Sequence, residues 1–367
     1  MINRLLSALP YSSARKIARF CGTIISTHFV LGNIVRLKTR RLYDIIAQQV
    51  NWDATLSLQN YSDAIREIIF WRDNFHTYNE KSVRVCYNPS LKGFSDASST
   101  GLVGHIFIDG RDKTAYKNFN LLEKQKSSTW RELQAINFSI NSLQQFLCHR
   151  SLHWHTDNFA ASLIAKSGSN KADLQKLSEE IFGNCRAHNI DLKVFWVPRD
   201  SISYTDFLSK QQDYDDWQTT KFFFDLLNHK WGPFTVDRFA DNENAKVARF
   251  NSKFYCPSSE AVDAFSCSWA GENNYLVPPV HLIPKVLQHM EFYRATGVLV
   301  VPYWTSAVFW PLVLEAPSVL RSFIKEALFI ANPRGYLQQG KCSECVIGSD
   351  SFTSPVLAFL ISFANHC

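Results

Sequence analysis

GFSDASSTG, residues 93–101, sets one carboxylate, Asp96, behind a glycine, an aromatic and a serine, and follows it with Ala, Ser and Thr. Asp, Ser and Gly are ordinary turn residues, so a surface turn is one reading. The other is a strand whose acid holds a metal ion, with small residues leaving room for a substrate. The chain on either side decides between them. Downstream, Phe94–Ala97, Gly104–Ile108 and Ala115–Phe119 read as short strands, with Asp109-Gly110 as a hairpin turn between the second and third. A helix follows: Thr129-Trp-Arg-Glu132 has capping-box spacing, and Glu132, Ile136, Ile140, Leu143 and Leu147 recur at helical intervals. Leu152–Thr156 is a strand ending at Asp157-Asn158. Helices at Phe159–Ala165 and Ala172–Ala187, a strand at Leu192–Val197 and a short helix at Tyr204–Ser209 complete the series.

Four acids fall at informative places in that series. Asp96 lies in the first strand, Glu132 in the first turn of the long helix, Asp157 at the end of the fourth strand and Asp206 in the last helix. Glu132 is in register with the apolar stripe facing the sheet, an odd place for a solvated acid. Taken singly, each acid has an ordinary explanation as a turn residue, a capping-box partner, a strand-end cap or a first-turn helix acid. Taken together they require four coincidences. Carboxylates gathered in a protein interior repel one another, and divalent cations are the usual compensation. Oxygen-only ligands favour Mg²⁺ or Mn²⁺ over zinc. Two such ions activate a water and stabilise the leaving oxygen of a phosphodiester.

The segments SDASSTG, WRELQA, HTDN and YTDFLSK, in this order, resemble the type 1 ribonuclease H fold, and the ribonuclease H of DIRS-type (tyrosine-recombinase) retrotransposons in particular. The resemblance implies a mixed five-stranded sheet with flanking helices. It makes Asp96, Glu132, Asp157 and Asp206 the ligands of two Mg²⁺ or Mn²⁺ ions, and cutting of the RNA strand of an RNA–DNA hybrid the reaction. Ser98 and Asn158 are implied as backbone contacts to the hybrid, read by its shape and 2′-hydroxyls. The chain departs from the family's loop before the last acid. In Pro198-Arg199-Asp200-Ser201-Ile202-Ser203-Tyr204-Thr205-Asp206, Arg199, Ile202 and Thr205 replace the usual Gly, Asn and Ala, and no His stands there.

Residues 1–80 read as mainly helical and resemble, through TRRLYDII and FWRDN, the connection that precedes the nuclease in those polyproteins; Asn88-Pro89 marks a turn. From Met1 to Tyr43 the chain holds eight Lys or Arg and no acid, the layout of an arm that follows a phosphate backbone or of a solvated helix face. Arg36, Lys38, Arg40 and Arg41 are its expected contacts to the hybrid. The apolar stretch Phe20–Leu37 is interrupted by polar residues and falls short of the roughly 18–20 residues of a membrane span, and Val356–Ala364 is shorter still, a buried strand or helix. No signal-peptide layout stands out. Nine scattered cysteines suit a reducing, intracellular setting, cytoplasmic or nuclear; the lone Cys342/Cys345 pair lacks a partner pair at zinc-site spacing. Tyr214-Asp215-Asp216 invites comparison with a polymerase site but sits in a polar linker, and no palm or fingers are present.

A second α/β region follows. WGPFTVDRFADNENAK (231–246), NNYLVPPV (273–280) and GVLVVPYWTSAVFW (297–310) resemble phage-type DNA adenine-N6 methyltransferases. The resemblance makes Asp237 and Ala240 the vestige of an S-adenosylmethionine site. The family's tetrapeptide is Asn/Asp-Pro-Pro-Tyr/Phe, whose first residue accepts from the adenine amino group and whose aromatic stacks on the flipped base. Val277-Pro278-Pro279-Val280 lacks both groups, so methyl transfer and bound S-adenosylmethionine are not expected. Strands are expected at Thr235–Phe239 and Val298–Val301.

The expected architecture is therefore a helical segment over 1–85, a ribonuclease H-like domain over 86–212, a Rossmann-like methyltransferase-type domain over 213–335 and a tail over 336–367. The expected function is that of a retrotransposon-derived ribonuclease H acting on RNA–DNA hybrids, partnered by the missing polymerase portion of the polyprotein and by no membrane. Two other readings stand beside it: a non-catalytic nucleic-acid-binding remnant, and an active adenine-N6 methyltransferase.

Overall fold

Alternation along one strand fixes the first sheet. In the computed structural model, which describes residues 11–78, 91–210, 216–340 and 345–364, β1 spans Leu91–Ala97. Gly93 and Ser95 face Trp154: a Cβ at Gly93 would meet the indole ring at 2.3 Å, and the indole N–H donates to the Ser95 hydroxyl at 2.8 Å. Phe94 and Asp96 point the other way. GFSDASSTG is thus a strand running into a turn. β2 (Gly101–Ile108) and β3 (Arg111–Asn118) are joined at Asp109-Gly110, whose φ values of 52° and 72° suit a two-residue hairpin. β4 (Ser151–Thr156) and β5 (Asp191–Trp196) complete the sheet in the order β3–β2–β1–β4–β5. β2 runs antiparallel to β1, while β4 and β5 run parallel to it. This mixed sheet, with helices in its crossovers, is a ribonuclease H-like arrangement.

Before it, α1 (Ala14–Ser26), α2 (Arg40–Ala47) and α3 (Ser62–Asn74) enclose a core containing Ile17, Phe20, Leu42, Ile45, Ile68 and Trp71. The first-turn N–H groups of α2, which have no helical partner, donate from Arg41 and Leu42 to the buried Glu67 carboxylate at 3.0 and 3.1 Å. Burial pushes that carboxyl up to about 7. Arg4, Asn88-Pro89, Cys342 and Tyr214-Asp215 lie outside the described residues.

The crossover helix α4 (Ser128–Ser142) starts earlier than the capping-box spacing indicates. Ser127 is its N-cap, accepting from the Trp130 N–H at 3.2 Å, so Glu132 is not a capping partner and its carboxylate is available elsewhere. The helix ends at Ser142, and Gln144–Leu147 forms a separate turn. A Cβ at Gly104 would meet the Ser139 Cβ at 2.6 Å, so glycine there lets α4 lie close on β2. α5 (Phe159–Ser167) and α6 (Ala172–Ala187) connect β4 to β5, and α7 (Ser203–Ser209) follows β5.

The second region also builds a sheet. β6 (Val236–Asp237), β7 (Asn251–Ser252), β8 (Ala261–Val262), β9 (Asn273–Leu276), β10 (Thr296–Pro302), β11 (Ile324–Ile330) and β12 (Val356–Ser362) are its strands. Five of them run in the order β11–β12–β10–β9–β6. Asp237 bridges Phe250 in parallel, and β7 pairs β8 in parallel, so the row continues through β7 to β8. All are parallel except β12, which runs against both of its neighbours. Along β10, Val298 and Val300 join one core with α8 (Lys221–Trp231), while Leu299 and Val301 join the other with α9 (Ile283–Phe292). A strand buried on both faces reads as an unbroken apolar run, as GVLVV does. This is a Rossmann-like, methyltransferase-type sheet. It takes in Val356–Ser362, beyond residue 335, where sequence alone closes the domain.

The described residues fall into two compact units, one within Met1–Ser98, Leu102–Lys113 and Gln125–Leu208, the other within Ser99–Gly101, Thr114–Lys124 and Ser209–Cys367. Among the described residues no helix is long and apolar enough to cross a membrane.

Candidate active site

Strand direction brings three of the four expected acids together. β1 and β4 are parallel neighbours, so Asp96 near the end of one and Asp157 just past the end of the other stand side by side. α4 lies on the opposite face and delivers Glu132 to the same end. Carboxylate oxygens of Asp96, Glu132 and Asp157 lie within 4.8 Å of one another. Asp96 and Glu132 are each 3% exposed, and Asp157 is half-buried. Glu132 is fixed from two sides, accepting from the Ala97 N–H at 3.2 Å and from the Thr156 hydroxyl at 3.2 Å. Its carboxyl is raised well above the usual range by burial first, then by the charges of Asp96 and Asp157. Three clustered carboxylates, two of them buried, with oxygen donors alone fit a hard divalent cation: Asp96, Glu132 and Asp157 would hold Mg²⁺ or Mn²⁺.

Asp206 lies outside that group. In α7 it accepts from Arg199, through Nε at 3.2 Å and through a terminal guanidinium nitrogen. Asp206 is the main cause of the Arg199 guanidinium's raised pKa, and Asp96 and Asp157 add to it. Arg199 is thus ion-paired with the fourth acid and lies close enough to Asp96 and Asp157 for their charges to act on it. Sequence reading marks Arg199 only as a departure from the loop's glycine; its charge is the signal that goes unused there.

The expected nucleic-acid contacts are placed as follows. Asn158 caps α5, accepting from the Ala161 N–H at 2.9 Å, and Ser98 is half-buried in the turn after β1. Lys38 pairs with Glu179 at 2.5 Å, Arg40 with the Asn170 side chain, and Arg41 with Asp44 at 3.3 Å and the Asn170 carbonyl at 2.6 Å. These three cations hold the helical segment against α6 and the residues just before it, and Arg36 is exposed.

In the second unit, Asp237 is 3% exposed, and its carboxyl is pushed up to about 6 by burial. Its two oxygens accept from the loop behind it, from the Lys246 N–H at 3.1 Å and the Phe239 N–H at 3.4 Å; Ala240 is buried. The aspartate is thus engaged by its own loop, which does not fit a group held open for S-adenosylmethionine. Val277 packs into the core beside β9, and Val280 packs partly against it. Sequence reading misses Arg238, which is 4% exposed and, among the described residues, forms no ion pair with a carboxylate. Its guanidinium donates to Asn274 at 2.7 Å and Asn251 at 2.8 Å, above the Trp269 ring. The signal available is the Asp-Arg step in TVDRFA, since alternation turns Arg238 away from Asp237.

Residues 208–359 match the family described as DNA N-6-adenine-methyltransferase (Dam). No curated protein matches the chain. Among solved structures, ribonuclease H1 of the halophilic archaeon Halobacterium salinarum NRC-1 is similar over 33% of this chain and 94% of its own, at 11% identity and a TM-score of 0.28. LC11-RNase H1, isolated from compost by a metagenomic approach, is similar over 32% and 91%, at 15% identity and a TM-score of 0.27. The same enzyme in complex with an RNA/DNA hybrid gives 32% and 93%, at 14% identity and a TM-score of 0.28.

Proposed function

We propose that the first unit is a divalent-metal-dependent ribonuclease H that cuts the RNA strand of RNA–DNA hybrids. The observation that carries this is the convergence of Asp96, Glu132 and Asp157 at one end of the sheet. Mg²⁺ or Mn²⁺ bound there would supply Lewis acidity and a nucleophilic water at neutral pH. The chain's part is to hold the ligands rigidly: the Ala97 N–H and the Thr156 hydroxyl fix the Glu132 carboxylate, and the parallel register of β1 and β4 sets the aspartates. Asp206 is the expected ligand of a second ion. Binding there requires Asp206 to exchange Arg199 for metal.

The order of a helical segment, a nuclease and a methyltransferase-type sheet supports descent from a DIRS-type retrotransposon polyprotein, with its polymerase portion as the natural partner and an intracellular setting. The second unit is read as a fold that no longer transfers methyl groups, because Val277 and Val280 supply neither acceptor nor ring and Asp237 is engaged by its own loop. Isothermal titration with millimolar S-adenosylmethionine should give no binding heat. Saturable binding would instead favour the adenine-methyltransferase reading.

The nuclease reading is tested with an end-labelled RNA–DNA hybrid and a titration of Mg²⁺. Only the RNA strand should be cut. Arg199→Gly removes the competitor at Asp206, so its cleavage should saturate at about tenfold lower Mg²⁺, the shift expected from roughly 1.4 kcal/mol of lost competition. An intact hybrid at every Mg²⁺ and Mn²⁺ concentration would make the chain a non-catalytic binding remnant.

A further inference from the structure

The face of the first sheet that carries Asp96 also carries a row of rings. Phe94 pairs in register with His105 on β2 and with His155 on β4, and His155 pairs with Phe195 on β5. The four rings stack across four strands as one column, with centroids 5.3, 4.8 and 5.8 Å apart and planes within 17–24° of parallel. At the β2 end the column is closed by Tyr204, edge-on to His105 at 5.4 Å. At the other end stands Phe195, 42% exposed, on the edge strand, with His153 edge-on to it at 5.1 Å; among the described residues no further strand pairs beyond it.

Charge flanks this column on both sides. One register step back along the same face, Lys92, His153 and Lys193 pair across β1, β4 and β5. Lys92 and Lys193 are exposed. One step forward stand Asp96 and Asp157. Successive rows across one face are thus cationic, aromatic and acidic. Beside Phe195, Trp196 is 50% exposed and donates its indole N–H to the Asp157 carbonyl at 2.9 Å, which ties this edge to the carboxylates.

We propose that this face binds a single, unpaired nucleic-acid strand, with a base stacked on the open end of the column at Phe195 and phosphates on Lys92 and Lys193. An aromatic column that ends in solvent offers one flat face, and an unpaired base has a free face to place on it, whereas bases in a duplex are already stacked on both sides. The lysines supply the complementary charge one row away, and the acidic row turns phosphates back toward them. Edge-to-edge pairing with a second copy is the rival occupant, and the exposed Lys193 on the edge strand opposes it. The proposal concerns binding and stands apart from the cleavage proposed above.

The test uses the full chain in EDTA, so that no strand is cut, and reads fluorescence anisotropy of a short labelled oligothymidylate and of the matching oligouridylate. Phe195→Ala should weaken both by about tenfold, the scale of one base–aromatic stack, and Phe195→Tyr should restore them. Lys92→Gln with Lys193→Gln should flatten the salt dependence by a slope of about one to two. Duplex DNA of the same length should respond weakly to Phe195→Ala. Unchanged affinity in Phe195→Ala, or an equal loss for duplex, overturns the proposal. So does a dimer in sedimentation that Phe195→Ala dissolves, which would make the face an interface between copies.

Discussion

Asp96→Asn is expected to lower Mg²⁺-dependent cutting of the RNA strand by about 100- to 1,000-fold, the usual loss when a charge-stabilising group leaves a phosphoryl site. The same change should leave the metal-free protein at least as stable. Asp96 is 3% exposed beside Glu132, whose carboxyl is held well above its usual range by burial and by the charges of Asp96 and Asp157. A raised carboxyl contributes stability that is fully present below its unfolded value near 4.5 and is lost as pH rises through the folded value. Removing the Asp96 charge lessens the raising, so the decline of metal-free stability with pH should become shallower. Thermal melts with and without Mg²⁺ separate the two effects. The native chain should gain stability from Mg²⁺ by mass action, and Asp96→Asn should lose most of that gain. A variant that is both inactive and strongly destabilised without metal would show that Asp96 is a packing residue rather than a ligand.

Asn274→Ala should cost the second unit about 1.5–3 kcal/mol, the range for losing a buried hydrogen bond to a charged group. The side chain is fully buried: its oxygen accepts from Arg238 at 2.7 Å, and its amide nitrogen donates to the carbonyls of Trp269, Glu272 and Thr296. Alanine would leave the Arg238 Nε–H without its acceptor in an interior position and free those carbonyls as well. Arg238→Met in the Asn274→Ala background should recover part of the loss, because the stranded charge goes with it. Denaturant unfolding of the native chain, both single variants and the double variant measures the coupling. A loss below about 1 kcal/mol would mean that water reaches the Arg238 guanidinium once Asn274 is gone.

How much of this was legible in the sequence varies with the length scale of the interaction. The strand of Asp96, the turn at Asp109-Gly110 and the helix over Ala172–Ala187 depend on alternation, φ preference and 3.6-residue periodicity, all local properties. The cap of α4 falls on Ser127 and not on Thr129: serine is the better N-cap of the two, and its hydroxyl accepts from the Trp130 N–H. Thr235–Phe239 exceeds the strand, whose paired register takes in Val236 and Asp237; Thr235 and Arg238 on either side still donate their N–H groups to the Asn273 and Tyr275 carbonyls of β9. Arg199 could not be placed from spacing alone: its meeting with Asp206 depends on how the 198–206 loop folds back. The docking roles of Lys38, Arg40 and Arg41 were hidden for the same reason, since Glu179 and Asn170 lie far away in sequence.

The strand order of the second sheet also sets a timetable. β12, Val356–Ser362, sits between β10 and β11 and bonds to both, although both are made before it. Until Ser362 has left the ribosome, β10 and β11 have no strand between them, and Leu299, Val301 and Ile324 lack the apolar partners Leu357, Phe359 and Ile361. All five strands of the first sheet have been made by Trp196, so that sheet can form while synthesis continues. The nascent chain therefore carries a folded first sheet ahead of an open, edge-exposed half-sheet, and the demand on chaperones falls between the synthesis of β11 and that of β12.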